Sequence, residues 1–247
     1  MPPLVLTFAA SDPTGGAGLQ ADLLTLAALG CHPLSVLTAL TIQDTIGVEH
    51  LEPVAAALVT RQAERILAES EVRAFKVGVL GSAENVRAVA AISAAHPGVP
   101  LVLDPVLASG RGDALARDGV AEALLESLVP RAMVATPNTL EAARLGGHEN
   151  LLNRGCRYVL VTGTHEATAE VMNRLYDSTG LVREDRWQRL PGSYHGSGCT
   201  LASAIAAALA KGTAVADAVR SAQEFTWRSL AAGLRTGAGQ FIPNRFA

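Results

Sequence analysis

The sequence predicts an α/β fold: a mostly parallel sheet with helices on both faces. Three observations predict it. Short apolar runs recur along the chain and are apolar throughout, as strands buried on both faces are. Segments with helical spacing separate them almost everywhere. Alanine is abundant and aromatic residues make up only 4% of the chain, which suits helices packed closely on a sheet. No repeat, low-complexity tract or linker interrupts the 247 residues, so a single domain over 1–247 is expected.

Residues 4–9 form the first apolar run, without the basic flank of a signal peptide, and are expected to be a buried strand. Ser11-Asp12-Pro13-Thr14-Gly15-Gly16-Ala17-Gly18 follows as a turn-rich loop. Leu19, Leu23, Leu26 and Leu29 then recur at helical spacing, and Gly30 is a natural stop. The loop is neither a Walker loop nor a dinucleotide fingerprint, because the required glycine spacings and the Gly-Lys-Ser/Thr are absent.

Residues 34–40 are the next strand, running into Thr41-Ile42-Gln43-Asp44-Thr45. Ligands of open α/β sheets collect at the carboxyl ends of strands, so Gln43 is a candidate ligand reader. Its amide offers one donor and one acceptor face, the complement of an aminopyrimidine edge; the alternative is a solvated loop glutamine. An amphipathic helix is expected over 53–67, a strand over 74–80, and a helix capped by Ser82 after it. The strand over 101–104 ends in Asp104, at the same sheet edge. Residues 109–113, with Arg111, are either a plain connection or a segment that carries Arg111 to phosphates.

A short strand over 133–135 leads to Thr136-Pro137-Asn138-Thr139-Leu140-Glu141. Asn138 and Glu141, three apart, share a helix face and suit a hydrated Mg²⁺; the same pattern equally suits an N-terminal cap with an acidic first turn. Residues 158–162 form another strand. Residues 171–176 and 183–190 read as an antiparallel pair leading toward Gly196. Two helices follow, over 201–210 and 213–232, and the tail 237–247 is expected to be ordered loop or coil.

A net charge of −3 leaves no electrostatic footprint for nucleic acid. Cys31, Cys156 and Cys199 are odd in number and far apart, and the six histidines are scattered. Neither a disulfide framework nor a metal cage is suggested, and a reducing cytoplasm fits. No apolar stretch of about 20 residues suggests a membrane span.

The chemistry concentrates at Tyr194-His195-Gly196-Ser197-Gly198-Cys199-Thr200, directly before the small-residue helix. Two glycines and a serine at a helix start leave N–H groups open to an anion. Cys199 falls where that field would lower a thiol pKa. The alternative is a Gly-rich turn with a small packed cysteine.

Together the pieces resemble the ribokinase-like superfamily, and within it the hydroxymethylpyrimidine/phosphomethylpyrimidine kinase family of thiamine biosynthesis. The resemblance covers nearly the whole chain. It is carried in order by Ala10-Ser11-Asp12 with Gly15 to Asp22, by Leu40 to Thr45, by Asp104-Pro105-Val106, by Thr136-Pro137-Asn138 with Glu141, and by His195 to Thr200. It implies a three-layer sandwich, ATP as co-substrate, Mg²⁺ and a homodimer. It implies that Gln43, Ala17 and Val106 bind the pyrimidine, with Asp22 near the pocket. Asp104, Asn138, Glu141 and Thr162 fall to the nucleotide side, with Glu141 toward Mg²⁺. Gly196, Ser197 and Gly198 form the anion hole, and Cys199 is the catalytic base. The sequence departs from the family pattern at Ala10, at Asp44, and at Thr162, where a lysine is common; that removes one phosphate-side charge.

The expected reaction is in-line transfer from ATP to the pyrimidine hydroxymethyl group and then to its monophosphate. Pyridoxal or pyridoxine kinase is the nearest alternative, and a non-catalytic pyrimidine binder is the other.

Overall fold

The computed structural model describes residues 1–108, 115, 119–166 and 168–247. Arg111 lies outside the described residues. The strands are β1 (Leu4–Ala10), β2 (His32–Gln43), β3 (Val48–Pro53), β4 (Val72–Val77), β5 (Leu101–Leu103), β6 (Val134–Ala135), β7 (Tyr158–Thr162), β8 (Glu170–Asp177) and β9 (Gly180–Gln188). They form one sheet in the order β3-β2-β1-β4-β5-β6-β7-β8-β9. Strands β2, β1, β4, β5, β6 and β7 run parallel, while β3 at one edge and β8 and β9 at the other are antiparallel.

The helices are α1 (Gly18–Ala28), α2 (Ala56–Leu67), α3 (Ala83–Ala95), α4 (Val120–Ala123), α5 (Thr139–Arg144), α6 (Gly147–Asn153), α7 (Ser197–Ala210) and α8 (Val215–Ala231). Neighbouring strand residues point to opposite faces, so each central strand feeds two cores. Val5, Ala74, Val102 and Leu160 pack under α1, α7 and α8. Leu6, Phe75, Leu103 and Val159 pack with α2, α3, α4 and α6. This is the three-layer α/β sandwich expected, and it explains the unbroken apolar runs. No helix among the described residues is long and apolar enough to cross a membrane.

Two local expectations are corrected, and one helical segment stands where no element was expected. Pro53 does not open the helix expected over 53–67 but ends the edge strand β3, which hydrogen-bonds back onto β2; α2 begins only at Ala56. Glu49, His50 and Glu52 interrupt β3, so no apolar run announced it. The region between β5 and β6 holds a helical segment, α4, continuing through a wide turn over Leu124–Leu128. Helix α7 starts at Ser197, earlier than the apolar run that suggested it. The antiparallel pair, the Ser82 cap and the stop at Gly30 stand as expected.

The parallel strands bring their carboxyl ends to one edge. Ser11, Gln43, Gly78, Asp104, Thr136 and Thr162 all stand at or just beyond strand ends there. The chain also reverses its direction of winding at this edge, because β2 and β4 lie on opposite sides of β1.

Candidate active site

A cleft of about 460 Å³ opens along that edge. Ala17, Gln43, Val106, Asp104, Asn138, Glu141, Thr162, Gly196, Ser197, Gly198 and Cys199 all line it. Asp22 does not. Its side chain is fully buried beneath the cleft, where Lys76 Nζ lies 2.7 Å from it and the hydroxyls of Thr7 and Ser203 donate to it at 2.5 and 2.8 Å. The expected substrate contact for Asp22 is therefore corrected to an internal ion pair, because every position around its carboxylate is taken by the protein.

Two glycine loops meet at one end of the cleft. In the first, the Asp12 carboxylate accepts hydrogen bonds from the N–H groups of Thr14 (2.8 Å) and Ala17 (2.6 Å), from the Thr14 hydroxyl, and from His195 Nε2 at 2.8 Å. Burial pushes its acidity toward the neutral form, but the His195, Ala17 and Thr14 hydrogen bonds outweigh it and hold the carboxyl below its ordinary range. In the second, Gly196 adopts φ +84, and a β-carbon there would stand 1.9 Å from the Gly16 carbonyl oxygen. Only glycine fits that conformation at that distance. Gln43 Nε2 donates to Thr41 Oγ1 at 2.8 Å, which orients the amide and leaves its acceptor face open to the cleft.

Gly196 is the N-cap of α7, and no side chain among the described residues caps the first N–H groups. Thr200 closes the first intrahelical bond to the Gly196 carbonyl, so the N–H groups before it remain open to an anion. Cys199 sits in this turn. Burial pushes its thiol up to about 12, with Lys76 opposing and the Asp104 and Asp22 charges adding to the rise. The expectation of a thiol acidified by the helix terminus is thus corrected: loss of hydration and two nearby carboxylates outweigh the helix field. The residue as a whole is half-buried, but its thiol faces inward to these groups.

Asp104 is buried, and its Oδ2 has no hydrogen-bond partner among the described residues. Burial raises its pKa to about 6, with Lys76 opposing, Asp22 adding, and the Cys199 thiol placed beside it as a donor. Lys76 itself is fully buried within β4. Burial works against its charge, but Asp22 first and then Cys199 and Asp104 hold the ammonium protonated beyond the ordinary lysine range. The sequence reading missed Lys76; a lone lysine inside an otherwise apolar strand was its signal.

At the start of α5, Asn138 and Glu141 form a capping box. Asn138 Oδ1 accepts from the N–H groups of Leu140 and Glu141, both at 2.9 Å, and Glu141 Oε2 accepts from Asn138 N–H at 3.0 Å. The cap alternative therefore holds, with the Asn138 side-chain oxygen already engaged by two N–H groups. Glu141 remains a candidate. Burial, then the charge of Asp104, raises its pKa to about 7. A hard divalent cation at this carboxylate would relieve both effects. Among the described residues no cluster of three His, Cys, Asp or Glu side chains could hold a metal, so most ligands would be water and phosphate oxygens, the arrangement Mg²⁺ prefers. Thr162 lines the cleft where its N–H bonds the Pro137 carbonyl at 3.0 Å.

The family model for phosphomethylpyrimidine kinase matches residues 12–244. A hydroxymethylpyrimidine/phosphomethylpyrimidine kinase of Streptomyces coelicolor is 42% identical, over 96% of this chain and 92% of its own. One from Rhizobium meliloti is 38% identical, over 97% and 95%. Among solved structures, a pyridoxal kinase from Staphylococcus aureus in complex with pyridoxal superposes with a TM-score of 0.91 at 27% identity, covering 100% of this chain and 94% of that one. A phosphomethylpyrimidine kinase from Clostridium difficile 630 gives 0.79 at 31% identity, over 91% and 97%. The chain belongs to the phosphomethylpyrimidine kinase family, within the ribokinase-like fold. It is a phosphotransferase acting on a vitamin precursor, which sets aside the non-catalytic binder.

Proposed function

We propose that this kinase transfers phosphate from ATP to the hydroxymethyl group of 4-amino-5-hydroxymethyl-2-methylpyrimidine, and then to the resulting monophosphate, making the pyrophosphate used in thiamine biosynthesis. The observation that carries the reading is the meeting of Gln43 with Cys199 and the open α7 N-terminus in one cleft. The Gln43 amide complements an aminopyrimidine edge, while Ala17 and Val106 cover the ring.

The N–H groups of Ser197, Gly198 and Cys199 face the phosphoryl group and stabilise charge as it transfers. Cys199 is protonated at rest, so a free thiolate does not start the reaction. Instead the substrate hydroxyl gives its proton to sulfur as sulfur gives its own to the Asp104 carboxylate, leaving an alkoxide-like oxygen to attack phosphorus. Asp104 suits the acceptor role because its raised pKa of about 6 keeps it ionised yet basic near neutral pH. Lys76 holds positive charge beneath both groups. Glu141 would hold Mg²⁺, which supplies charge neutralisation at the β- and γ-phosphates. Asn138 presents its amide N–H groups, and Thr162 lines the nucleotide side without the cation a lysine would bring.

Pyridoxal kinase activity is the second reading, favoured by the 0.91 superposition on the pyridoxal complex. The test offers Mg²⁺-ATP with hydroxymethylpyrimidine, its monophosphate and pyridoxal separately. Turnover of both pyrimidines well above pyridoxal is expected; turnover of pyridoxal alone would replace the reading. A single kinase domain, a cytoplasmic location and a homodimer complete the proposal.

A further inference from the structure

The tail 237–247 meets the substrate half of the cleft at three places. The Gly239 N–H donates to Thr45 Oγ1 at 3.1 Å and the Gln240 N–H to the Thr45 carbonyl at 2.8 Å, two residues beyond Gln43. The Phe241 N–H donates to the Ser193 carbonyl at 2.9 Å, and its carbonyl accepts from the His195 N–H at 2.8 Å. Arg245 then reaches between the two glycine loops. Its Nη2 donates to the Gly16 carbonyl at 2.5 Å, its Nη1 to the Gly15 carbonyl at 3.3 Å, and its Nε to Thr200 Oγ1 at 3.2 Å.

Arg245 is only 3% exposed, and each of its hydrogen-bond acceptors among the described residues is a carbonyl or a hydroxyl. Burying a cation without a bonded carboxylate opposes folding, so a structural role alone is a poor explanation for it. The planar fork is what the site uses: it grips two loops at fixed angles. Thr200 extends the grip, because its hydroxyl also donates to the Gly196 carbonyl at 2.8 Å. One continuous path therefore joins Gly16, Arg245, Thr200 and Gly196, the last of which touches Gly16 directly.

We propose that Arg245 is a positioning residue that locks the substrate loop at Gly15 and Gly16 to the anion loop at Gly196, and so sets the line of approach of the substrate hydroxyl to the phosphoryl group. The catalytic consequence rests on the kinase reading above; the locking does not. In-line transfer is steeply sensitive to alignment, and a slip of about 1 Å lowers turnover roughly 10²-fold. The charge of the guanidinium also adds to the field of the α7 terminus behind the open N–H groups.

The test uses the full chain. Arg245→Met is expected to lower kcat about 10–100-fold, while the Kd for Mg²⁺-ADP, read by calorimetry, stays within about twofold of the original. Arg245→Lys, which keeps the charge but not the fork, is expected to recover part of kcat. Thr200→Val removes only the hydroxyl link and is expected to give a smaller fall of the same kind. Hydrogen exchange of the ligand-free chain supplies a readout independent of substrate: the hydrogen-bonded amides of Gly16, Ala17 and Thr200 should exchange faster in Arg245→Met, with those of α2 unchanged. Folded Arg245→Met with unchanged kcat and unchanged exchange overturns the proposal. If Arg245→Met does not fold, unchanged kcat and exchange in Thr200→Val overturns it instead. Absence of turnover in the unsubstituted chain would sink the kinase reading alone, and the exchange data would still decide the lock.

Discussion

Asp12 and His195 are 183 residues apart in sequence and 2.8 Å apart in the fold, where they join the substrate loop to the anion loop. The Asp12 pKa is depressed, so its contribution to stability is fully present above the unfolded value near 3.8 and is lost as pH falls through the lower folded value. Asp12→Asn should therefore lower stability by about 1.5–3 kcal/mol at pH 6, the usual range for a charge-assisted hydrogen bond. The deficit should shrink toward pH 3. Chemical denaturation at both pH values measures it; an equal deficit at pH 3 and pH 6 would count against an ionic contribution.

Cys199 should be slow to alkylate. With its thiol pushed up to about 12, almost no thiolate exists at pH 8, and iodoacetamide should modify it more slowly than a free cysteine. Cys199→Ala should lower turnover by about 10²–10⁴, the range for a general base. The acid limb of the kcat/KM profile should fall near pH 6, set by the carboxylate cluster of Asp104 and Glu141 as a coupled unit. Rapid alkylation at pH 8, followed by mass spectrometry, would restore the thiolate base.

Glu141 is expected to reduce stability in the ligand-free protein. Its folded pKa is raised, so ionising it costs stability that grows as pH climbs from its unfolded value near 4.5 to about 7 and is then constant. Glu141→Gln keeps an acceptor for the cap and should raise the ligand-free stability at pH 8 by about 1–3 kcal/mol. The same variant should weaken Mg²⁺-ADP binding about 10–100-fold. Thermal melts with and without Mg²⁺-ADP separate the two effects; a loss of stability without ligand would refute the first.

Lys76→Met should be severely destabilising, by about 3–5 kcal/mol, because it strands the Asp22 charge in the interior. Adding Asp22→Asn, which keeps a partner for Thr7 and Ser203, should recover most of the loss. Urea denaturation of the three variants gives the coupling directly. Additive losses would mean that the ion pair is not the reason both residues are buried.

The elements most legible in the sequence were those whose environment repeats along them. The strands β1, β4 and β7 are buried on both faces over most of their length and are therefore largely apolar, and α7 is small-residue because it lies across the sheet. Strand β3 was hidden because an edge strand keeps polar residues on its outer side. At the site, the glycines, Gln43, Asp104, Glu141 and Cys199 stood out by residue type and by position at strand ends. The Asp22–Lys76 pair did not, since a carboxylate on a helix and a lysine in a strand carry no mark of each other. Arg245 was hidden for the same reason, in a tail without periodicity.

What local patterning determined was the layered fold, the cleft edge at the strand ends and the helix terminus with open N–H groups, because periodicity, turn chemistry and unpaired N–H groups act within a few residues. What only the folded chain decided were charge states and partners: a neutral Cys199, an inward-facing Asp22, an Asn138 consumed by its cap, and an Arg245 between two glycine loops. Desolvation and Coulomb interactions depend on what surrounds a group in space, and those neighbours come from segments far apart along the chain.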